Sequence, residues 1–146
     1  MSLPKTGKKP CIVVVDGMGG GIGVQLVGKL REHFAENIEI IALGTNAIAV
    51  ERMVKAGADR GAAGENAIIQ SVGLGDFVLG PIGVIISNSM MGEITYKMTN
   101  AILSAAGERI VLPLQNDHLT LAGGDGIPLS KMIEKAVDIV KERLTA

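Results

Sequence analysis

Cys11-Ile-Val-Val-Val-Asp-Gly-Met-Gly-Gly-Gly-Ile-Gly23 is the stretch whose reading decides the fold. Cys11 to Val15 is short, apolar and rich in β-branched residues. Such a run reads as a strand buried on both faces, the kind found in parallel sheets. After the glycines, Ile22, Leu26, Leu30 and Phe34 recur every four residues with Val27 beside them. That spacing puts them on one face of a helix. The segment is therefore strand, glycine turn, helix. In that setting glycine allows positive φ, lets the backbone approach a phosphate, and lets the helix pack on the strand. The helix start presents free N–H groups and about half a positive charge to an anion. Asp16, Gly17, Gly19, Gly20, Gly21, Ile22 and Gly23 are thus candidate ligand-binding residues. The same glycines also serve a tight turn that binds nothing.

Working outward, Ile38–Leu43 is a second apolar strand, followed by a helix capped by Thr45 or Asn46 and stopped at Gly57. Arg60–Ala63 and Phe77–Gly80 read as further strands, with a short helix over Glu65–Val72. Ile82–Met91 fits strand or helix equally, because periodicity does not resolve a short apolar run. Ile94–Ala106 reads as a helix, Arg109–Leu114 as a fifth strand, and His118–Leu121 as an edge strand. Pro128 is placed at the first position of a last helix whose buried face runs from Leu129 through Ile133, Ala136, Val137 and Val140 to Leu144. Short strands alternating with helices make an α/β domain, here a three-layer Rossmann-like one with a mainly parallel sheet of about five strands. Residues 1–9 read as a disordered tail and 10–146 as one domain.

The 146 residues are enough for one core. Hydrophobic residues make up 47%, which excludes a disordered chain. Lys plus Arg is 14 and Asp plus Glu 15, so there is no basic footprint for nucleic acid. The low charge and apolar composition point to a homo-oligomer. No uncharged run reaches membrane-spanning length, and the run after Lys8 and Lys9 is too short for a secretory signal. Cys11 is the one cysteine. The expectation is a cytoplasmic protein. His33 and His118 stand far apart, so no metal-ligand spacing exists.

The spacing of the glycines separates two fingerprints. Gly-x-Gly-x-x-Gly fails, because Gly17 and Gly19 are followed by Ile22. Gly-x-x-x-Gly-x-Gly fits Gly17, Gly21 and Gly23, and the loop with its strand and helix resembles the cofactor loop of short-chain dehydrogenases. That resemblance implies a nicotinamide dinucleotide. Leu43-Gly44-Thr45-Asn46 carries no carboxylate for ribose hydroxyls, so NAD is disfavoured and NADP remains, with Thr45, Asn46 and Arg52 near a 2′-phosphate. The family has Thr where this chain has Asp16. A carboxylate there repels a diphosphate unless it turns away, bonds to loop amides or meets a cation. The Tyr-x-x-x-Lys signature is absent, since Tyr96 is followed four residues later by Asn100.

Together with the glycine loop, Ala42-Leu-Gly-Thr-Asn-Ala47, Gly64-Glu-Asn-Ala67 and Asn88-Ser-Met-Met-Gly-Glu-Ile-Thr95 resemble a small bacterial family of unknown function. The resemblance implies a Rossmann-like fold and no activity. Asn88, Ser89 and Glu93 follow the fourth strand, where they either face the glycine loop or start a helix. His118, in Asn116-Asp-His118, is a candidate proton switch or a solvated loop residue. The expected function is binding of a nucleotide or phosphorylated small molecule at Gly17–Gly23, with the reaction unassigned. The alternatives are a non-catalytic regulatory or interaction subunit with a vestigial pocket, and an NADP-dependent oxidoreductase.

Overall fold

A computed structural model describes residues 8–116 and 118–146. The expected tail therefore lies outside the described residues up to residue 7, and Asp117 lies outside them as well. The strands are β1 (Cys11–Asp16), β2 (Glu39–Gly44), β3 (Arg60–Ala63), β4 (Phe77–Pro81) and β5 (Glu108–Leu112). The helices are α1 (Gly21–Phe34), α2 (Ala47–Lys55), α3 (Glu65–Ser71), α4 (Tyr96–Ser104) and α5 (Leu129–Thr145). The sheet has five strands in the order β3-β2-β1-β4-β5. Every pairing is parallel, with Val13 opposite Ile41 on one side and Val78 on the other. This is a three-layer α/β, Rossmann-like fold.

The apolar run of β1 has a direct physical reading. Side chains alternate across a strand. Ile12 and Val14 enter one core with Leu26, Leu30, Ala49 and Val137, under α1, α2 and α5. Val13 and Val15 enter the other with Ile68, Met98 and Ile102, under α3 and α4. Both faces of the central strand are covered, so no polar position remains between Ile12 and Val15. Leu26 and Leu30 are fully buried, and truncating such a leucine to alanine costs about 2–5 kcal/mol.

Several boundaries differ from the sequence expectation. The ambiguous Ile82–Met91 stretch is neither strand nor α-helix: a 3-10 turn covers Ile82–Ile85 and turns follow. Helix α4 starts at Tyr96 rather than Ile94, because Thr95 caps it, its Oγ1 accepting from the Met98 N–H at 3.2 Å. Strand β5 stops at Leu112, before Pro113, which has no N–H to give a ladder. The His118–Leu121 edge strand reduces to one antiparallel bridge, Asn116 to Leu119. Pro128 sits one residue before the helix, at the cap of α5. Among the described residues, no helix is long and apolar enough to cross a membrane.

Candidate functional site

The chain runs outward from β1 to β2 and β3, then returns to lay β4 and β5 on the other side of β1. The order reverses between β1 and β4, and ligands in open α/β sheets bind beyond the carboxyl ends of the strands at such a point. A crevice of about 650 Å³ lies there, lined by Asp16–Ile22, Gln25, Pro81–Gly83, Met90, Met91 and Leu114–Asn116.

The glycine loop closes on itself through the Gly20 N–H, which donates to the Gly17 carbonyl at 2.8 Å. Gly20 caps α1 with φ +73° and no side chain to help. A Cβ on it would stand 2.9 Å from the Ala49 Cα. Left-handed backbone and close approach both require glycine here. Gly21, the middle glycine of the sequence fingerprint, carries neither demand: its surroundings are open and its φ is not positive. Gly23 is needed because α1 packs so closely on β1 that a Cβ would sit 3.0 Å from the Asp16 Cβ.

Asp16 is buried, at 4% exposure. Its Oδ1 accepts from the Gly17 N–H and its Oδ2 from the Gly23 N–H, each at 2.8 Å. The carboxylate thus sits where an anion would sit at a helix start. Burial pushes its pKa up; the N–H groups of Gly23, Gly17 and Ile22 pull it down, the Glu93 charge pushes it up, and the balance is upward.

Glu93 reaches across from the β4–α4 connection. Its Oε1 accepts from the Met18 N–H at 2.9 Å, from Asn46 Nδ2 at 3.0 Å and from the Thr45 hydroxyl. The Thr45 hydroxyl, the Met18 N–H and the Asn46 amide together hold its carboxyl below the usual range despite partial desolvation. One side chain therefore ties the loops after β1, β2 and β4. Asn46 caps α2, its Oδ1 accepting from the Ala49 N–H at 2.9 Å, while its Nδ2 donates to the Met18 carbonyl at 2.8 Å. Arg52 donates to the Gly19 carbonyl.

Of the sequence-derived candidates, Asp16, Gly17, Gly19, Gly20, Gly21 and Ile22 line the crevice. Thr45, Asn46 and Glu93 brace the loop through hydrogen bonds instead. Gly23 and Ser89 stand behind the wall, Ser89 buried and donating to the Gly83 carbonyl. Asn88 is exposed at φ +69° and is not part of the lining. His118 is exposed and does not line it either.

Sequence reasoning missed Met18, Gln25, Met90, Met91 and Gln115. For Gln25 a signal existed, since it lies one helical turn after Gly21. For the methionines none did: Met18, Met90 and Met91 have left-handed backbone, with φ of +51°, +57° and +56°, a region non-glycine residues rarely enter. Among the described residues, no group of His, Cys, Asp and Glu could hold a metal ion. Burial raises the Cys11 thiol to about 12, aided by the Glu39 and Asp76 charges.

The chain is similar to a solved structure of the dodecameric FMN-dependent UbiX-like decarboxylase from Escherichia coli O157:H7, at TM-score 0.42 and 12% identity, over 92% of this chain and 94% of that one. No curated protein matches the sequence. Residues 11–145 match the model described as a domain of unknown function (DUF3842), and the chain belongs to that family.

Proposed function

We propose that this protein binds a small organic molecule in the crevice between the glycine loop and the ends of β4 and β5. The observation that carries the reading is the position of the crevice, at the reversal of strand order between β1 and β4. Its volume of about 650 Å³ falls in the usual range of small-molecule sites. The narrower expectation, a nucleotide or phosphorylated small molecule, relies on loop amides. Asp16 already occupies those of Gly17 and Gly23 and the Gly20 N–H is bonded to the Gly17 carbonyl, so a phosphate would rely on the backbone of Gly19 and Gly21. NADP is less supported, because Thr45, Asn46 and Arg52 all have partners within the protein. No reaction is part of the proposal. The homo-oligomer expected from composition also stands as a proposal: Ile48, Met91 and Tyr96, all beyond strand carboxyl ends, are 66%, 92% and 69% exposed. Light scattering that returns only the monomer mass would remove it.

Melting curves with a panel of nucleosides, nucleotides, NADP and other small metabolites test the binding role. A ligand at ~100 times its Kd adds about 2.7 kcal/mol, a melting shift of roughly 5–10 °C for a chain of this size. A flat response across the panel, together with no co-purifying molecule by native mass spectrometry, would refute it.

A further inference from the structure

We infer that the crevice receives an uncharged, flat ring of the kind a nucleobase presents, and discriminates against phosphate. The inference deepens the proposed binding role and rests on it. A phosphate at a helix start draws on free N–H groups and on the positive end of the helix. In this protein the Asp16 carboxylate holds the Gly17 and Gly23 N–H groups, and the Glu93 carboxylate holds that of Met18. Two acidic side chains thus stand at the loop where an anion would settle.

None of the described residues lining the crevice is Lys, Arg or His. The Arg52 guanidinium is bonded to the Gly19 carbonyl. Tight phosphate sites combine backbone amides with such side chains.

What the lining does offer is polarisable and neutral. Met18 comes from the β1–α1 loop, and Met90 and Met91 from the β4–α4 connection. Thioether sulfurs make favourable contacts with aromatic rings. Left-handed backbone at all three costs energy, and such strain gathers at ligand sites. Gln25 and Gln115 add neutral amide donors and acceptors at the edges.

Titration calorimetry at low salt tests this with matched pairs: adenosine, guanosine, cytidine and uridine against their 5′-monophosphates, and inorganic phosphate alone. The expected result is that at least one nucleoside binds, its monophosphate binds no tighter, and inorganic phosphate does not displace it. Asp16→Ala frees two amides, so the variant is expected to favour the monophosphate by about tenfold. If that variant does not fold, the wild-type pairs still decide. A wild-type monophosphate more than about tenfold tighter than its nucleoside, or displacement by inorganic phosphate, overturns the inference. A charged molecule as the sole binder in the wider panel overturns it and leaves the binding role standing. Silence across the whole panel overturns both.

Discussion

On the glycine-loop side of the crevice, Asp16, Asn46, Arg52 and Glu93 all bond to backbone groups of residues 17–23. On the opposite side, between Pro113 and Pro128, the backbone bonds Leu114 to Leu112, Leu119 to Asn116 and Ile127 to Gly124 all run to near neighbours in the chain. The first wall is shaped by side chains from three strand ends, so it is formed before any ligand arrives. The second shows local backbone bonds among its described residues. Segments of that kind open at lower free energy than braced ones. A smaller cavity of about 230 Å³ lies within the second wall and shares Leu114 and Gln115 with the main crevice. Shape is set on one side, and room for adjustment is kept on the other.

The sharpest way to break this contrast is one substitution made in both walls. Gly20 and Gly124 have nearly the same backbone, φ +73° and φ +75°. A Cβ on Gly20 meets the Ala49 backbone at 2.9 Å, whereas on Gly124 the nearest atom is the Ile127 Cδ1 at 3.8 Å. Left-handed backbone costs a non-glycine residue roughly 1–2 kcal/mol. Overpacking adds typically 1–3 kcal/mol. Gly20→Val is expected to lose about 3–4 kcal/mol in urea melts, and Gly124→Val only the backbone share. Equal losses would mean that the two walls are equally braced.

The acidic residues give a second, smaller contrast. Asp16→Ala removes two hydrogen bonds to a buried charge, and bonds of that kind are worth ~1.5–3 kcal/mol. The crevice lets water reach part of the loop, so a net loss of about 2–3 kcal/mol is expected. Asp125, exposed in the second wall, is a surface position whose change to alanine should stay within about 0.5 kcal/mol. A harmless Asp16→Ala would show that water replaces the carboxylate fully, and the pre-formed wall would lose its main support.

The fold was legible where local pattern and burial agree. β1, β2 and β4 are continuous apolar runs because both their faces are covered, and the four-residue spacing from Ile22 to Phe34 marks the buried stripe of α1. The site was legible in part. Asp16 had three ways to be tolerated, and bonding to loop amides is the one the structure adopts. Thr45 and Asn46 fit helix capping or ligand contact by residue type, and Asn46 does cap α2. The rest had no local signature. Residues 82–91 turn through left-handed methionines that nothing in residue preference announces. Gly20 rather than Gly21 is demanded by Ala49, which lies 29 positions along the chain on α2. Glu93 reads equally as a residue facing the glycine loop or as a helix start, and only the folded chain shows it bonded to Met18 and Thr45.

The smallest expected effect lies within the braced wall, where Asp16 and Glu93 should respond to pH in opposite senses. Burial raises the folded pKa of Asp16 above its ordinary value of 3.8. The folded protein then holds that proton better than the unfolded chain does. Its contribution is fully present below about 3.8 and fades as pH rises through the folded value. The Thr45 hydroxyl, the Met18 N–H and the Asn46 amide lower Glu93 below 4.5. Its contribution is present above about 4.5 and fades on acidification. Stability measured from about pH 3 to 7 on wild type, Asp16→Asn and Glu93→Gln separates the two. The Asp59 carboxylate, desolvated but held low by the Ile40 N–H and Arg31, is common to all three proteins and cancels in the differences. Relative to wild type, Asp16→Asn should gain ground as pH rises, and Glu93→Gln should lose it. Parallel slopes would mean that Asp16 is ionised as readily as a surface carboxylate. The loop would then be open to water in solution, and its amides would be within reach of an incoming phosphate.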